Sequence, residues 1–225
     1  MHIRDLTQFL AELSENNNRA WFVMNKPRYD ILRAEFLQLV SKLIPAVAVF
    51  DPAVADCNPK KALFRINRDM RFSADKSPYK TVFSAAITAT GLKKPSQGGG
   101  PAYYFHIDEK GMLLVAGGEY MPPPERLKAI RQHVIDDDAG FGKLLKNRKL
   151  NGTYGGLSEE GKLTRPPKGF DADAPHIEYV KLKSFIVGKE TSVKGQVIPD
   201  FGKALVKDFK DAYPLVEWLR AIPLA

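Results

Sequence analysis

Cysteine is almost absent from this chain: Cys57 is the only one in 225 residues. An intramolecular disulfide is excluded, and a reduced, cytoplasmic location is the expectation. Long apolar runs are missing too. The longest, Leu43 to Phe50, is far too short to cross a bilayer and is interrupted by Pro45, so no membrane partner is expected. The opening Met1-His-Ile-Arg-Asp-Leu-Thr-Gln places charged and polar residues where a secretory signal needs an apolar core. No Ser/Gly/Pro-rich linker divides the chain into comparable halves, and neither an internal repeat nor a low-complexity tract is visible. With 44% hydrophobic residues, 1–225 reads as a single domain able to bury one sizeable core. Histidines are few, and His2, His106, His133 and His176 share no HExxH or CxxC spacing with one another or with Cys57. A metal site is therefore not expected.

Acidic residues are scarce in one place above all. Between Lys60 and Lys94, nine lysines and arginines face two acids, Asp69 and Asp75, so this stretch carries +7 of the formal net charge of +8. At its centre the basic residues of Ala62-Leu-Phe-Arg-Ile-Asn-Arg-Asp-Met-Arg-Phe-Ser-Ala-Asp-Lys-Ser-Pro-Tyr-Lys80 are interleaved with apolar and aromatic ones. A solvated basic tail would lack those apolar partners, so the charge is held at fixed points on a fold.

Leu6, Phe9, Leu10 and Leu13 recur at helical spacing and stop at the polar run from Ser14 to Asn18. Asn25 followed by Lys26 and Pro27 has the form of a cap opening a second helix, whose apolar stripe is Leu32, Phe36, Leu39, Val40 and Leu43. The period then changes from helix to strand. Phe64, Ile66, Met70 and Phe72 alternate with Arg65, Asn67, Asp69 and Arg71, which predicts a strand with one face buried. Further strands are expected over Thr81 to Thr90, Ala102 to Asp108 and Met112 to Tyr120, with a hairpin at Asp108-Glu-Lys-Gly111. A helix opens at Pro122-Pro-Pro-Glu-Arg-Leu, carrying Leu127, Ile130 and Val134, and ends at Asp136-Asp-Asp138. Residues 149–170 look irregular, a short helix starts near Asp173-Ala-Pro-His176, and one more strand is expected within Leu182 to Val187. Leu205, Phe209, Ala212, Val216 and Leu219 mark a last helix containing Pro214, where a kink is expected. This order predicts an α+β fold: an antiparallel meander of about four to six strands, with helices from both termini packed on one face.

Several of these segments together resemble a known family. They are Asn17-Asn-Arg-Ala-Trp-Phe22, Asn25-Lys-Pro-Arg-Tyr29, the long block from Phe64 to Thr81, Tyr103-Tyr-Phe-His-Ile107, Gly117-Gly-Glu-Tyr-Met-Pro122, Arg165-Pro-Pro-Lys-Gly-Phe170 and Leu182-Lys-Ser-Phe185. Over nearly its whole length the chain is similar to a conserved uncharacterised family of bacteria and fungi, the domain of unknown function twenty-four sixty-one. The glycine-rich insert from Pro95 to Gly100 and Glu119, where a glycine or apolar residue is expected, depart from that pattern. The resemblance supports the fold and implies no established activity.

In strand geometry Arg65, Asn67, Asp69 and Arg71 share a face at roughly 7 Å between alternate residues, a spacing at which two guanidiniums grip one polyanionic group. Lys76 and Lys80 follow a turn and swing back over that face. Three readings are open: a solvated face laced by salt bridges, a pocket for a small molecule bearing phosphate or carboxylate, or a nucleic-acid backbone surface. Arg68 breaks the alternation and is expected at the core boundary, in an ion pair with Asp69, Asp75 or, if the fourth strand lies beside the first, Glu119. With Tyr103, Phe105 and Ile107 inward, Tyr104, His106 and Asp108 face outward, where arginines beside His106 would disfavour its protonated form and make it a base near neutral pH. The alternative is a surface histidine hydrogen-bonded across the sheet.

Two local matches are set aside. Ser73-Ala-Asp-Lys76 and Ser77-Pro-Tyr-Lys80 both spell S-x-x-K, but that chemistry needs a helix to aim serine and lysine together, against the strand pattern and Pro78. Glycines 98 to 100 are followed by no Gly-Lys-Ser/Thr and open no helix, so a hairpin loop is expected instead of a phosphate cradle. Trp21 and Phe22 are expected at a helix–helix corner. The resulting expectation is a small anionic ligand held by Arg65, Asn67, Arg68, Arg71, Lys76, Lys80 and His106, with His106 and Asp69 as candidate acid–base groups. A nucleic-acid-associated basic protein and a structural, protein-contact domain are the alternatives. No segment names a reaction, a cofactor or an oligomeric state.

Overall fold

The apolar stripe Leu6, Phe9, Leu10 and Leu13 is fully buried along one side of the first helix, α1 (Ile3–Glu15). A computed structural model describes residues 2–69, 71, 75–93, 99–195 and 200–224. The second helix, α2 (Arg19–Ala48), begins about two turns earlier than its proline suggests. Asn18, not Asn25, is the cap: its side chain accepts from the Trp21 amide at 2.9 Å. Asn25 instead lies inside the helix and donates to the Trp21 carbonyl at 2.9 Å. Pro27 and Pro45 both sit within α2. Pro27 removes the amide that would reach the Val23 carbonyl, on a turn whose Val23 side chain is exposed and open to water. A 3₁₀ turn (Pro52–Val54) and the short α3 (Pro59–Ala62) follow, the latter capped by Asn58, which accepts from the Lys60 and Lys61 amides.

Among the described residues of 63–72 the expected strand does not form. Leu63 bridges Ala85 and Asn67 bridges Tyr79 only as isolated antiparallel pairs. The Phe64 amide donates to the Ser84 carbonyl, and the Lys80 amide to the Ile66 carbonyl. Side chains compete here with a ladder: Asp69 accepts from the Arg71 amide, and Asp75 from the Ser77 amide, each closing a local turn. Ile66 is buried and Phe64 half-buried, while Met70 and Phe72 lie outside the described residues.

Four strands make the sheet: β1 (Val82–Thr88), β2 (Ala102–Asp108), β3 (Met112–Glu119) and β4 (Phe185–Ser192), in that spatial order and antiparallel throughout. Asp108 pins the β2–β3 hairpin by accepting from the Lys110 and Met112 amides, and Gly111 supplies the positive φ of +74° that the turn needs. The strand expected within Leu182 to Val187 lies three residues later. Between β3 and β4 run α4 (Pro124–Asp136), α5 (Asp138–Leu145), α6 (Arg148–Tyr154) and α7 (Ile177–Val180), so the stretch 149–170 is not irregular throughout. After β4 comes α8 (Phe201–Arg220), with Pro214 inside it.

One face of the sheet packs on α1, α2 and α8. Phe36 of α2 lies 5.5 Å from Phe83 and 5.2 Å from Phe105, and Phe105 lies 6.3 Å from Phe209 of α8, ring centre to ring centre. Burying each such ring contributes roughly 1.5–3 kcal/mol. A second cluster joins α4 to α7 with β4 and the other side of α8, through Ile130, Phe141, Val187, Leu215 and Leu219. Gly117 lets α8 lie against β3, since a Cβ there would stand 2.5 Å from that of Ala212. Glu119, at the end of β3, is fully buried with Arg126 of α4, whose guanidinium grips the carboxylate and also donates to the Leu219 carbonyl in the last turn of α8 and to the Ile222 and Pro223 carbonyls beyond it. Glu119 is thus not the partner of Arg68.

Candidate functional site

The opposite face of the sheet is floored by small side chains. The pairing register sets three rows across it: Thr88, Ala102, Gly118, Ile186; then Ala86, Tyr104, Ala116, Gly188; then Ser84, His106, Leu114, Glu190. Alternate residues of a strand share a face, so these rows form one surface. Phe64 stands beside β1, tied there by its amide on the Ser84 carbonyl, and Lys93 lies next to it. Ser158 stands beside β4, its amide on the Ile186 carbonyl, with Glu160 close by. Together with Tyr120 and Met121 they enclose a cleft of about 690 Å³. That is the size and the largely apolar lining of a small-molecule site.

Polar groups in the cleft are few and placed. The Tyr104 hydroxyl lies 3.1 Å from His106 Nδ1 and also meets the Ser84 hydroxyl. Burial holds His106 below the ordinary histidine range, opposed by the charges of Asp108, Glu190 and Glu109. The protonated form is therefore disfavoured as expected, but by desolvation and not by arginines. Burial likewise pushes the Tyr104 phenol up, so it stays a hydroxyl. A neutral His106 that accepts the Tyr104 proton at Nδ1 carries its own proton on Nε2 and is a hydrogen-bond donor there. The Lys93 ammonium lies 5.4 Å from the centre of the Phe64 ring and donates to the Leu63 carbonyl. Lys80 covers the same ring at 5.7 Å.

Of the residues expected to grip an anion, the cleft takes in His106 alone. Arg65 and Arg71 have side chains 70% and 77% exposed, and both turn to Asp69, at 3.9 Å and 2.9 Å. The Arg71 guanidinium beside it lowers the Asp69 carboxyl to about 2, so Asp69 is a weak proton acceptor at neutral pH. Arg68 pairs with Asp75 at 2.9 Å and donates to the Tyr79 carbonyl at 3.3 Å, the boundary ion pair expected of it. Asn67 is exposed on its isolated bridge, Lys76 is exposed, and Lys80 lies over the Phe64 ring outside the cleft lining. His106 and Arg71 do not lie on neighbouring strands, because His106 pairs with Ser84 and Leu114. Ser73 of the first S-x-x-K match and Gly98 of the glycine run lie outside the described residues.

From sequence, Lys93 falls on the glycine-rich loop, where its loss is expected to change ligand binding little, and the floor itself was passed over. The signal for the floor was present in part: Ser84, Ala86 and Thr88 in β1 and Ala116 and Gly118 in β3 are small residues at two-residue period, where a covered sheet face would carry large ones. Trp21 and Phe22 do lie at the helix corner, Trp21 5.7 Å from Phe9 and Phe22 stacked on Tyr79 at 4.0 Å. Among the described residues, no group of three or more His, Cys, Asp or Glu is placed to hold a metal ion, and no helix is long and apolar enough to cross a membrane. A family model described as conserved hypothetical protein (DUF2461) matches residues 5–218. No curated protein and no solved structure matches the chain.

Proposed function

We propose that this chain, which belongs to the conserved hypothetical protein family DUF2461, binds a small, mostly apolar molecule bearing an anionic group in the cleft over its sheet. The observation that carries this reading is the floor of Ala86, Ala102, Ala116, Gly118 and Gly188 beneath a cleft of about 690 Å³. Small residues on an otherwise well-packed sheet leave a shaped space, and such a space is stabilised when an apolar body fills it. Lys93 at one wall supplies the charge for the anionic group, with His106 Nε2 as a neutral donor in the floor. Arg65 and Arg71 are exposed and turn to Asp69 outside the cleft, whereas Lys93 lines it, so by position the ligand's charge is assigned to Lys93. The single buried thiol of Cys57 goes with a cytoplasmic setting for this activity.

The test uses 1-anilinonaphthalene-8-sulfonate, an aromatic body with one fixed anion, followed by fluorescence and calorimetry. One molar equivalent is expected to bind, and Ala116→Phe, which fills the floor, is expected to abolish binding with the circular dichroism spectrum unchanged. Lys93→Ala should weaken binding by about tenfold, the worth of one charge-assisted hydrogen bond. Arg65→Ala and Arg71→Ala should leave it unaltered. Binding indifferent to Ala116→Phe overturns the proposal. Oligonucleotide binding weakened equally by Arg65→Ala, Arg71→Ala and Lys93→Ala, with a steep salt dependence, would replace it with a nucleic-acid backbone surface.

A further inference from the structure

The two ends of the cleft carry opposite charge. Lys93 stands at the β1 side, held beside Leu63 and Phe64, both of which are tied to β1 by backbone contacts. At the β4 side, Glu190 projects from the strand itself, and Glu160 follows Ser158, whose amide is fixed to the Ile186 carbonyl. Among the described residues neither carboxylate is engaged in a salt bridge. Between the two ends lie Ala102, Gly118 and Ile186 in one row, Ala86, Tyr104, Ala116 and Gly188 in the next, and His106 and Leu114 in the third. Neighbouring strands are about 4.8 Å apart, so crossing from β1 to β4 covers roughly 14 Å.

We infer that the ligand is an elongated zwitterion, with an anionic group at Lys93, a cationic group at Glu160 and Glu190, and an apolar spacer about three strand spacings long. This rests on the cleft being a ligand site, as proposed above, and adds its chemical class. A purely anionic apolar molecule would leave the two carboxylates facing its far end without a partner. A short zwitterion would satisfy one end at the expense of the other. The spacer crosses the strands, so its contacts are with side chains and not with the already paired backbone of the sheet. Such contacts demand apolar length more than sequence or shape. An extended peptide with a free carboxylate and a basic side chain, or a long amino acid, has this form.

Calorimetry with three probes tests the inference: dodecanoate, ω-aminododecanoate, whose charged ends are separated by a comparable distance, and ω-aminohexanoate, which is too short to bridge. ω-Aminododecanoate is expected to bind about tenfold more tightly than dodecanoate, and ω-aminohexanoate to show no binding. In the Glu160→Gln, Glu190→Gln double variant that tenfold advantage should vanish, while dodecanoate binds as well as before or better. Both residues are exposed at the rim, so the double variant retains the fold. Dodecanoate binding as tightly as ω-aminododecanoate to the unmodified protein overturns the zwitterion and leaves the cleft proposal standing. If neither long probe binds, both fall.

Discussion

Burial of His106 among Tyr104, Leu114 and the cleft walls sets the sign of one pH effect. Its folded-state value lies below 6.5, so below that pH the unfolded chain takes up a proton that the folded one resists. Stability therefore falls as pH drops through 6.5 toward the folded value, and rises with pH across the same window. Glu12 and Glu35 are depressed by Arg28 and His2, and their contribution is lost only lower, as pH falls through their own values under 4.5. His106→Gln should thus flatten urea-midpoint stability between pH 5 and about 7 without altering the loss at stronger acid. An unchanged slope would mean that His106 titrates alike in both states, which an NMR titration of its ring would show directly. The outward orientation of His106 was legible from the alternation of Tyr103, Phe105 and Ile107. Its charge environment was not, because that depends on which strands flank β2 and on what covers them.

At the scale of elements, β3 and α8 approach closely at Gly117 and Ala212. Gly117→Ala would bring two methyl carbons to 2.5 Å and force the helix off the sheet, a cost of roughly 1–3 kcal/mol for overpacking. Ala212→Gly alone costs about 1 kcal/mol as a glycine within a helix. Combined, the two should cost less than their sum, since the second change removes the clash made by the first, and a double-mutant cycle in urea measures that coupling. Strict additivity would place the strain elsewhere. Elements with an unbroken period were legible: α1 from its leucines and Phe9, β2 and β3 from alternation and the Asp108 to Gly111 turn. The segment 63–72 alternates too, apart from Arg68, yet Asp69 and Asp75 engage local amides with their side chains, and pattern alone does not show that competition. The start of α2 was read at Asn25 and lies at Asn18. It is decided by tertiary packing, because Phe22 must already be helical to stack on Tyr79.

Across the whole molecule, the two apolar clusters share α8: Phe209 and Val216 belong to one, Ala212, Leu215 and Leu219 to the other. One cluster cannot come apart without stripping a face from the helix that supports both, so 1–225 should unfold in a single transition. The chain has two tryptophans, and Trp21 packs on the first cluster while Trp218 packs on the second. Urea transitions of Trp21→Phe and Trp218→Phe, each followed by the fluorescence of the remaining tryptophan and by far-UV circular dichroism, should coincide within each variant. Separated midpoints would mark two units. The dense positive charge from Lys60 to Lys94 also has a place at this scale, since Leu63 and Phe64 lie along the outer edge of β1 and the flanking basic residues discourage another chain from pairing there. The edge of β3 has no such guard until β4 arrives. Glu119 and Phe185 are neighbours in the sheet, yet the whole of α4 to α7 is strung between them. Joining distant chain segments is slow compared with closing the short Asp108 to Gly111 hairpin. In refolding, β1, β2 and β3 should come together first and β4 dock last, so the half of the cleft that bears Glu190 is expected to be the last part of it to exist.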